Sequence, residues 1–181
     1  TVLSGGRTDV IGLDDLLLAI KKAKNNDKVK GIYIQSGLFA SDSYASLQAV
    51  RKALVDFKKS GKWIVAYGDV YTQATYYLSS VADKVYLNPS GQVEWSGICS
   101  QTMFVKDLMA KFGVKMQVVK VGAYKSATEM FTGDKMSDAN KEQVSAFING
   151  IWNTVCTDVA KSRKVTVAQL NQYADNMITL G

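Results

Sequence analysis

Residues 29–35, VKGIYIQ, and residues 63–67, WIVAY, decide the fold class. Each is a short apolar run rich in β-branched and aromatic side chains. Such a run has no polar face to offer water, so it suits a strand enclosed by other structure. Between them the spacing predicts a helix over 43–59, with Tyr44, Leu47, Val50, Leu54 and Phe57 on one face. Asp42 is placed to cap its start and Gly61 to end it. A strand, a helix and a second strand in that order form a βαβ unit, which requires a crossover and favours parallel pairing.

The alternation continues outward in both directions. Leu13, Leu16, Leu17 and Ile20 recur at helical spacing, with Asp14 and Asp15 at the start and Lys21, Lys22 and Lys24 at the end, as the helix dipole prefers. After WIVAY come a helix over 72–81 and a strand over 84–87, and then a turn signal at Asn88-Pro89-Ser90-Gly91. Residues 93–99 read as extended. A helix over 103–112 ends at Gly113, and a strand is predicted over 116–121. A long loop is expected over 122–136, and long loops inside compact domains are often functional. The longest helix begins near Ser137, with Val144, Phe147, Ile148, Ile151, Trp152, Val155 and Val159 in one stripe. A last helix opens with a capping box, Thr166 and Gln169. The expected architecture is a single α/β domain over 1–181, with a mostly parallel sheet and a helical extension over 137–181.

Composition narrows the function. The chain of 181 residues has no histidine and one proline, Pro89. Without histidine, a Ser-His-Asp or Cys-His mechanism cannot be assembled from this chain alone. The net charge is +6, but the lysines are spread over helical faces without a run of five like charges, which argues against a nucleic-acid surface. Metal binding is not expected: Cys99 and Cys156 lie far apart and no acidic cluster has ligand spacing. No glycine-rich phosphate loop is present, and no cofactor is expected. Two cysteines leave the redox compartment open. No run approaches the ~20 apolar residues of a membrane span. The chain opens at Thr1 without methionine and reads as an excised piece, with any anchor outside it.

The segment carrying chemistry is Val121-Gly122-Ala123-Tyr124-Lys125-Ser126-Ala127-Thr128-Glu129-Met130-Phe131. A strand ends, a glycine frees the backbone and a lysine comes next but two. In a cleft, burial disfavours the ammonium, and a neutral lysine can take the proton from a serine hydroxyl. From the residues alone a surface lysine is the simpler reading. The stretch VGAYKSATEMF, however, resembles the lysine motif of the signal peptide peptidase A (protease IV) family, a pattern close to V-G-x-Y-K-S-A-x-E-P-F with a later Asp and Met-Ser, here Asp134, Met136 and Ser137. Met130 stands where that pattern has proline. Residues 28–34 (KVKGIYI) and 66–88 resemble the flanking strands and helix of the family, and the likeness runs over about 13–164.

One departure sets the role of the chain. In short members the helix corresponding to residues 69–80 starts with a serine nucleophile in A-S-G-G-Y-Y. Here the sequence is Asp69-Val70-Tyr71-Thr72-Gln73-Ala74-Thr75-Tyr76-Tyr77, so Gln73 occupies the nucleophile position, and Ala74 and Thr75 replace the glycines. This combination resembles the amino-terminal half of the long, duplicated members, whose carboxy-terminal repeat supplies the serine. The resemblance implies a crotonase-like or Clp-protease-like core and a ring-shaped homo-oligomer. It also implies anchoring to the bacterial inner membrane with the site on the non-cytoplasmic side, and apolar peptide substrates such as cleaved signal peptides. Lys125 is then the general base of a Ser-Lys dyad, its partner being the chain's own carboxy-terminal repeat, and the fragment alone is expected to be inactive.

Supporting roles are assigned around it. Gly122 gives the turn its freedom. Tyr124 either shields the lysine from water or packs in the core. Ser126 either orients the amine or caps the next turn, the cap being favoured. Pairing with Glu129 would raise the lysine pKa, the wrong direction for a base, so Glu129 is read as a loop anchor. Ser79 and Ser80 sit too deep in their helix to meet substrate. Cys156, beside the apolar stripe, is read as a small buried hydrophobe. Trp63, Trp95 and Trp152 are read as core, with Trp95 the best candidate to line a groove. Two other functions remain open: a non-catalytic peptide-binding scaffold of a ring oligomer, and a crotonase-like enzyme acting on acyl thioesters.

Overall fold

The structure is a computed structural model and describes residues 11–37, 43–119 and 126–176. Three strands, β1 (Gly31–Ser36), β2 (Trp63–Tyr71) and β3 (Lys84–Val93), form one sheet in the order β1-β2-β3, every pairing parallel. Helix α1 (Leu13–Asn25) precedes β1, α2 (Tyr44–Lys58) makes the β1–β2 crossover, and α3 (Gln73–Ser79) makes the β2–β3 crossover. After the sheet come α4 (Lys106–Lys111), a single turn α5 (Glu129–Thr132), the long α6 (Asp138–Arg163) and α7 (Val167–Asp175). The chain is therefore of the α/β class expected from its sequence, with a parallel sheet and a helical carboxy-terminal region. Its residues fall into two compact units, one made of residues up to 96 and from 156 onward, the other of residues 97–155.

The core of the first unit lies on one face of the sheet. Ile64 and Ala66 of β2 and Val85 of β3 meet Val50, Leu54 and Phe57 of α2, Ile20 of α1, and Val81 and Ala82 after α3. The buried isoleucine, leucine, valine and phenylalanine side chains contribute about 1.5–3 kcal/mol each. The apolar stripe of α2 is the one its spacing predicts, apart from one intruder: Arg51, 3% exposed, lies among Leu47, Val50 and Leu54. The helix is capped by Ser43, whose hydroxyl accepts the Ser46 N–H at 3.2 Å; the expected cap, Asp42, lies outside the described residues. Gly61 (φ +78°) and Gly113 (φ +72°) occupy the left-handed region that makes glycine the natural helix terminator. The capping box at Thr166 and Gln169 is present.

Three expectations are corrected. The turn signal at 88–91 lies within β3 instead of ending it. Gly68 pairs with Leu87 and Val70 with Gln92, so residues 88–91 bulge out opposite Asp69. Asn88 stabilises the bulge, accepting the Ser90 N–H at 3.0 Å and donating to Asp69 Oδ1 at 2.7 Å. The strand predicted from residue 116 is absent over the described 116–119: Val119 is almost wholly exposed, and an apolar run forms a strand only where its backbone finds a ladder partner. Trp63 is not core; it is 48% exposed at the start of β2.

Candidate active site

Residue 73, where the resemblance would put a serine, falls at the start of α3. β2 ends at Tyr71, and Thr72 turns the chain, its hydroxyl accepting the Thr75 N–H at 3.3 Å as the helix cap. Gln73 is the first helical residue, 8% exposed, and its Nε2 donates to the Tyr44 hydroxyl at 2.9 Å. The group is thus a buried amide bonded to α2, with no nucleophilic atom. Thr75 beside it is buried, with its hydroxyl donating to Thr72 O at 3.0 Å. A glycine at 75 would leave space there, which the Thr75 side chain fills.

The rest of α3 is held from several sides. Tyr76 meets Tyr71 and Trp95 edge-on, at centroid distances of 6.1 and 5.8 Å. Trp95 is buried and donates from Nε1 to Leu170 O at 2.9 Å, so it belongs to the core and lines no groove. Tyr77 is fully buried and donates to Asp158 Oδ2 at 2.6 Å, while the Arg51 guanidinium stacks 4.7 Å over its ring. Burial, then the Asp158 bond, raises the Tyr77 pKa well above that of an ordinary phenol. Arg51 also donates to Tyr77 O, Ser80 Oγ (2.7 Å), Asp158 O (2.8 Å) and Ser162 Oγ (2.6 Å). This knot ties α2, α3 and α6 together. The sequence signal for it was a lone arginine inside an apolar stripe. Ser79 and Ser80 are fully buried, and Ser79 Oγ shares a hydrogen bond with Ser36 Oγ at 2.9 Å, so neither can meet a substrate. Cys99 is exposed and Cys156 is buried, and the two are not bonded.

Of the lysine segment, Gly122, Tyr124 and Lys125 lie outside the described residues. Ser126 is partly buried, and its carbonyl accepts the Glu129 N–H at 2.9 Å, starting the turn that becomes α5. Glu129 is 7% exposed. Its carboxylate accepts from Ser137 Oγ (2.6 Å), Ser137 N (3.2 Å) and Asn140 Nδ2 (3.1 Å). It therefore binds the chain just after the lysine to the first turn of α6, where a negative charge also suits the helix dipole. On the other side, Met130 O accepts the Val105 N–H at 2.8 Å, and Lys106 pairs with Asp134 at 2.9 Å. Met130 is the second residue of α5, a place where the missing N–H of a proline would cost little, so either residue suits the turn. Among the described residues no group of three or more His, Cys, Asp or Glu is placed to hold a metal, and no helix is long and apolar enough to cross a membrane.

Residues 56–181 match the profile of peptidase family S49. The chain belongs to that family. Protease 4 of Salmonella typhi is 36% identical over 175 residues, 97% of this chain and 28% of that protein. Protease 4 of Haemophilus influenzae is 32% identical over 151 residues, 83% of this chain and 25% of that protein. The chloroplastic serine protease SPPA of Arabidopsis thaliana is 28% identical over 132 residues, 73% and 19% of the two chains. The chain thus spans between about a fifth and just over a quarter of the length of the curated relatives it matches. A solved structure described as an enoyl-CoA hydratase, from Mycobacterium avium paratuberculosis, aligns over 91% of this chain and 78% of its own at 11% identity. Its TM-score is 0.33, too slight a likeness to argue from.

Proposed function

We propose that this chain is the lysine-bearing part of a Ser-Lys serine endopeptidase, with Lys125 the general base and the serine elsewhere in the full-length polypeptide. The observation that carries the reading is Gln73. The helix start that in short members presents the serine here holds a buried amide bonded to Tyr44. Membership of a peptidase family, in a chain with no histidine and with glutamine and not serine at that helix start, supports a base-supplying role. The loop after the lysine, fixed through Glu129 to α6 and through Met130 to Val105, offers a firm support for such a base. Gly122 and Tyr124 would set its turn and shield it, and Ser126 would cap the turn that becomes α5.

In this reading the whole protein has a crotonase-like core and forms a homo-oligomeric ring anchored at the bacterial inner membrane. It cuts apolar peptides, including cleaved signal peptides, on the non-cytoplasmic side. The isolated chain is inactive, and installing a serine by Gln73→Ser does not rescue it, because the buried Thr75 occupies the space beside that position. The test is turnover of an apolar peptide ester by the 181-residue chain, wild type and Gln73→Ser, beside the full-length protein. Activity in the full-length protein alone is expected. Hydrolysis by the purified wild-type chain would overturn the division of labour.

A further inference from the structure

We infer that the outer face of the three-stranded sheet is a packing surface for another folded part of the same full-length polypeptide, outside residues 1–181. The register places Gly31 beside Trp63, then Tyr33, Val65 and Lys84 in one row, and Gln35, Tyr67 and Tyr86 in the next. These side chains point away from the core, because their neighbours Ile64, Ala66 and Val85 point into it. Tyr33 is 55% exposed, Trp63 48% and Tyr86 50%. A parallel sheet is nearly always covered on both faces. Within the first unit the helices α1 and α2 cover one face, and on the other the aromatic side chains Tyr33, Trp63 and Tyr86 are exposed among the described residues.

The open face is also built to be flat. A Cβ on Gly31 would stand 2.1 Å from the Trp63 indole, so the ring lies down against β1 and forms a platform. Tyrosine and tryptophan with little charge is the composition of an interface core, their rings apolar and their polar tips able to reach a rim. Lys84 is the one charged group in these rows. The length of the relatives points to the occupant. They carry roughly three-quarters of their chain beyond the matched part, since the match covers 28% and 25% of the two bacterial proteins. The complementary surface is an apolar helix or sheet face. This inference depends on family membership and not on the role of Lys125.

Hydroxyl-radical footprinting read by mass spectrometry tests it, comparing the 181-residue chain with the full-length protein. Tyr33, Trp63, Tyr67 and Tyr86 should oxidise readily in the short chain and several-fold more slowly in the full-length protein, with the buried Tyr77 slow in both. Equal rates in the two proteins would overturn the inference. So would protection already present in the short chain: if it grows with protein concentration the occupant is a second copy, and if it does not the face is covered from within. As a second measurement, Tyr33→Glu with Tyr86→Glu should leave the urea midpoint of the short chain unchanged and make the full-length protein more sensitive to protease. Unchanged sensitivity would also overturn it.

Discussion

Replacing Arg51 by methionine removes the cation that joins three helices while keeping a similar apolar stem. The guanidinium is 3% exposed and donates to Tyr77 O, Ser80 Oγ, Asp158 O and Ser162 Oγ, besides stacking on the Tyr77 ring. The two serine hydroxyls can turn to other acceptors; Ser80 already donates to Tyr77 O at 3.0 Å. Asp158 keeps the Tyr77 hydroxyl but loses the guanidinium, whose Nε lies 3.9 Å from its Oδ2. A hydrogen bond from a charged donor contributes about 1.5–3 kcal/mol, and these four are not additive because they share one donor group. The expected loss is about 2–4 kcal/mol, mainly from neutral buried acceptors left without their donor, because the Asp158 carboxylate is 36% exposed and stays hydrated. The assay is urea unfolding monitored by circular dichroism, with Arg51→Lys as a companion. Lysine keeps the charge but cannot span four acceptors, so it should fall between the two. A loss below about 1 kcal/mol for Arg51→Met, or full rescue by lysine, would refute the claim that the planar fork holds these helices.

The same geometry sets other outcomes. Glu129→Gln presents an amide N–H₂ to the donors of Ser137 and Asn140, so amide exchange over 137–141 should quicken by the equivalent of about 1–3 kcal/mol, and unchanged exchange would remove Glu129 as the anchor. Burial pushes the Cys156 thiol up to about 11, so at pH 8 a thiol reagent should label the exposed Cys99 alone until denaturant is added. For Asp83, burial raises the pKa, but the Lys58 bond at 2.6 Å and the Ile64 N–H at 2.8 Å outweigh it and hold the carboxyl below the usual range. Its contribution is therefore present above the unfolded carboxylate pKa and lost as pH falls through the lower folded value. Asp83→Asn should thus cost about 1 kcal/mol or less at pH 7, since both ends of the ion pair are partly solvated, and the gap to wild type should close below about pH 4. A gap that is constant with pH would contradict this.

Local pattern sufficed for the sheet and its crossovers because Ile64, Ala66, Leu54 and Phe57 act through burial, which periodicity reports directly. It failed where a side chain's surroundings come from distant chain. Trp63 begins an apolar strand, yet it faces outward because the register, not its hydrophobicity, assigns its side of the sheet. Residues 116–119 look like a strand in isolation but join no ladder among the described residues. Arg51 stood out as a lone arginine in an apolar stripe, but its four acceptors were illegible because they lie at the end of α3 and on α6, up to 111 residues away. The anchor role of Glu129 was legible from the wrong sign that pairing with Lys125 would have; its partners Ser137 and Asn140 were not. The position of Gln73 was legible through the nearby Tyr76-Tyr77 pair, whereas its bond to Tyr44 needed the fold.

The central claim is that Lys125 supplies the base, and the most direct measurement is the pH–rate profile of the full-length protein on an apolar peptide ester, wild type against Lys125→Ala. The account predicts that the wild-type rate rises with an apparent pKa below the ordinary lysine value of about 10.4. It also predicts that the variant, folded and assembled as before, loses nearly all turnover at every pH. Substantial turnover by Lys125→Ala with the same pH profile would contradict it.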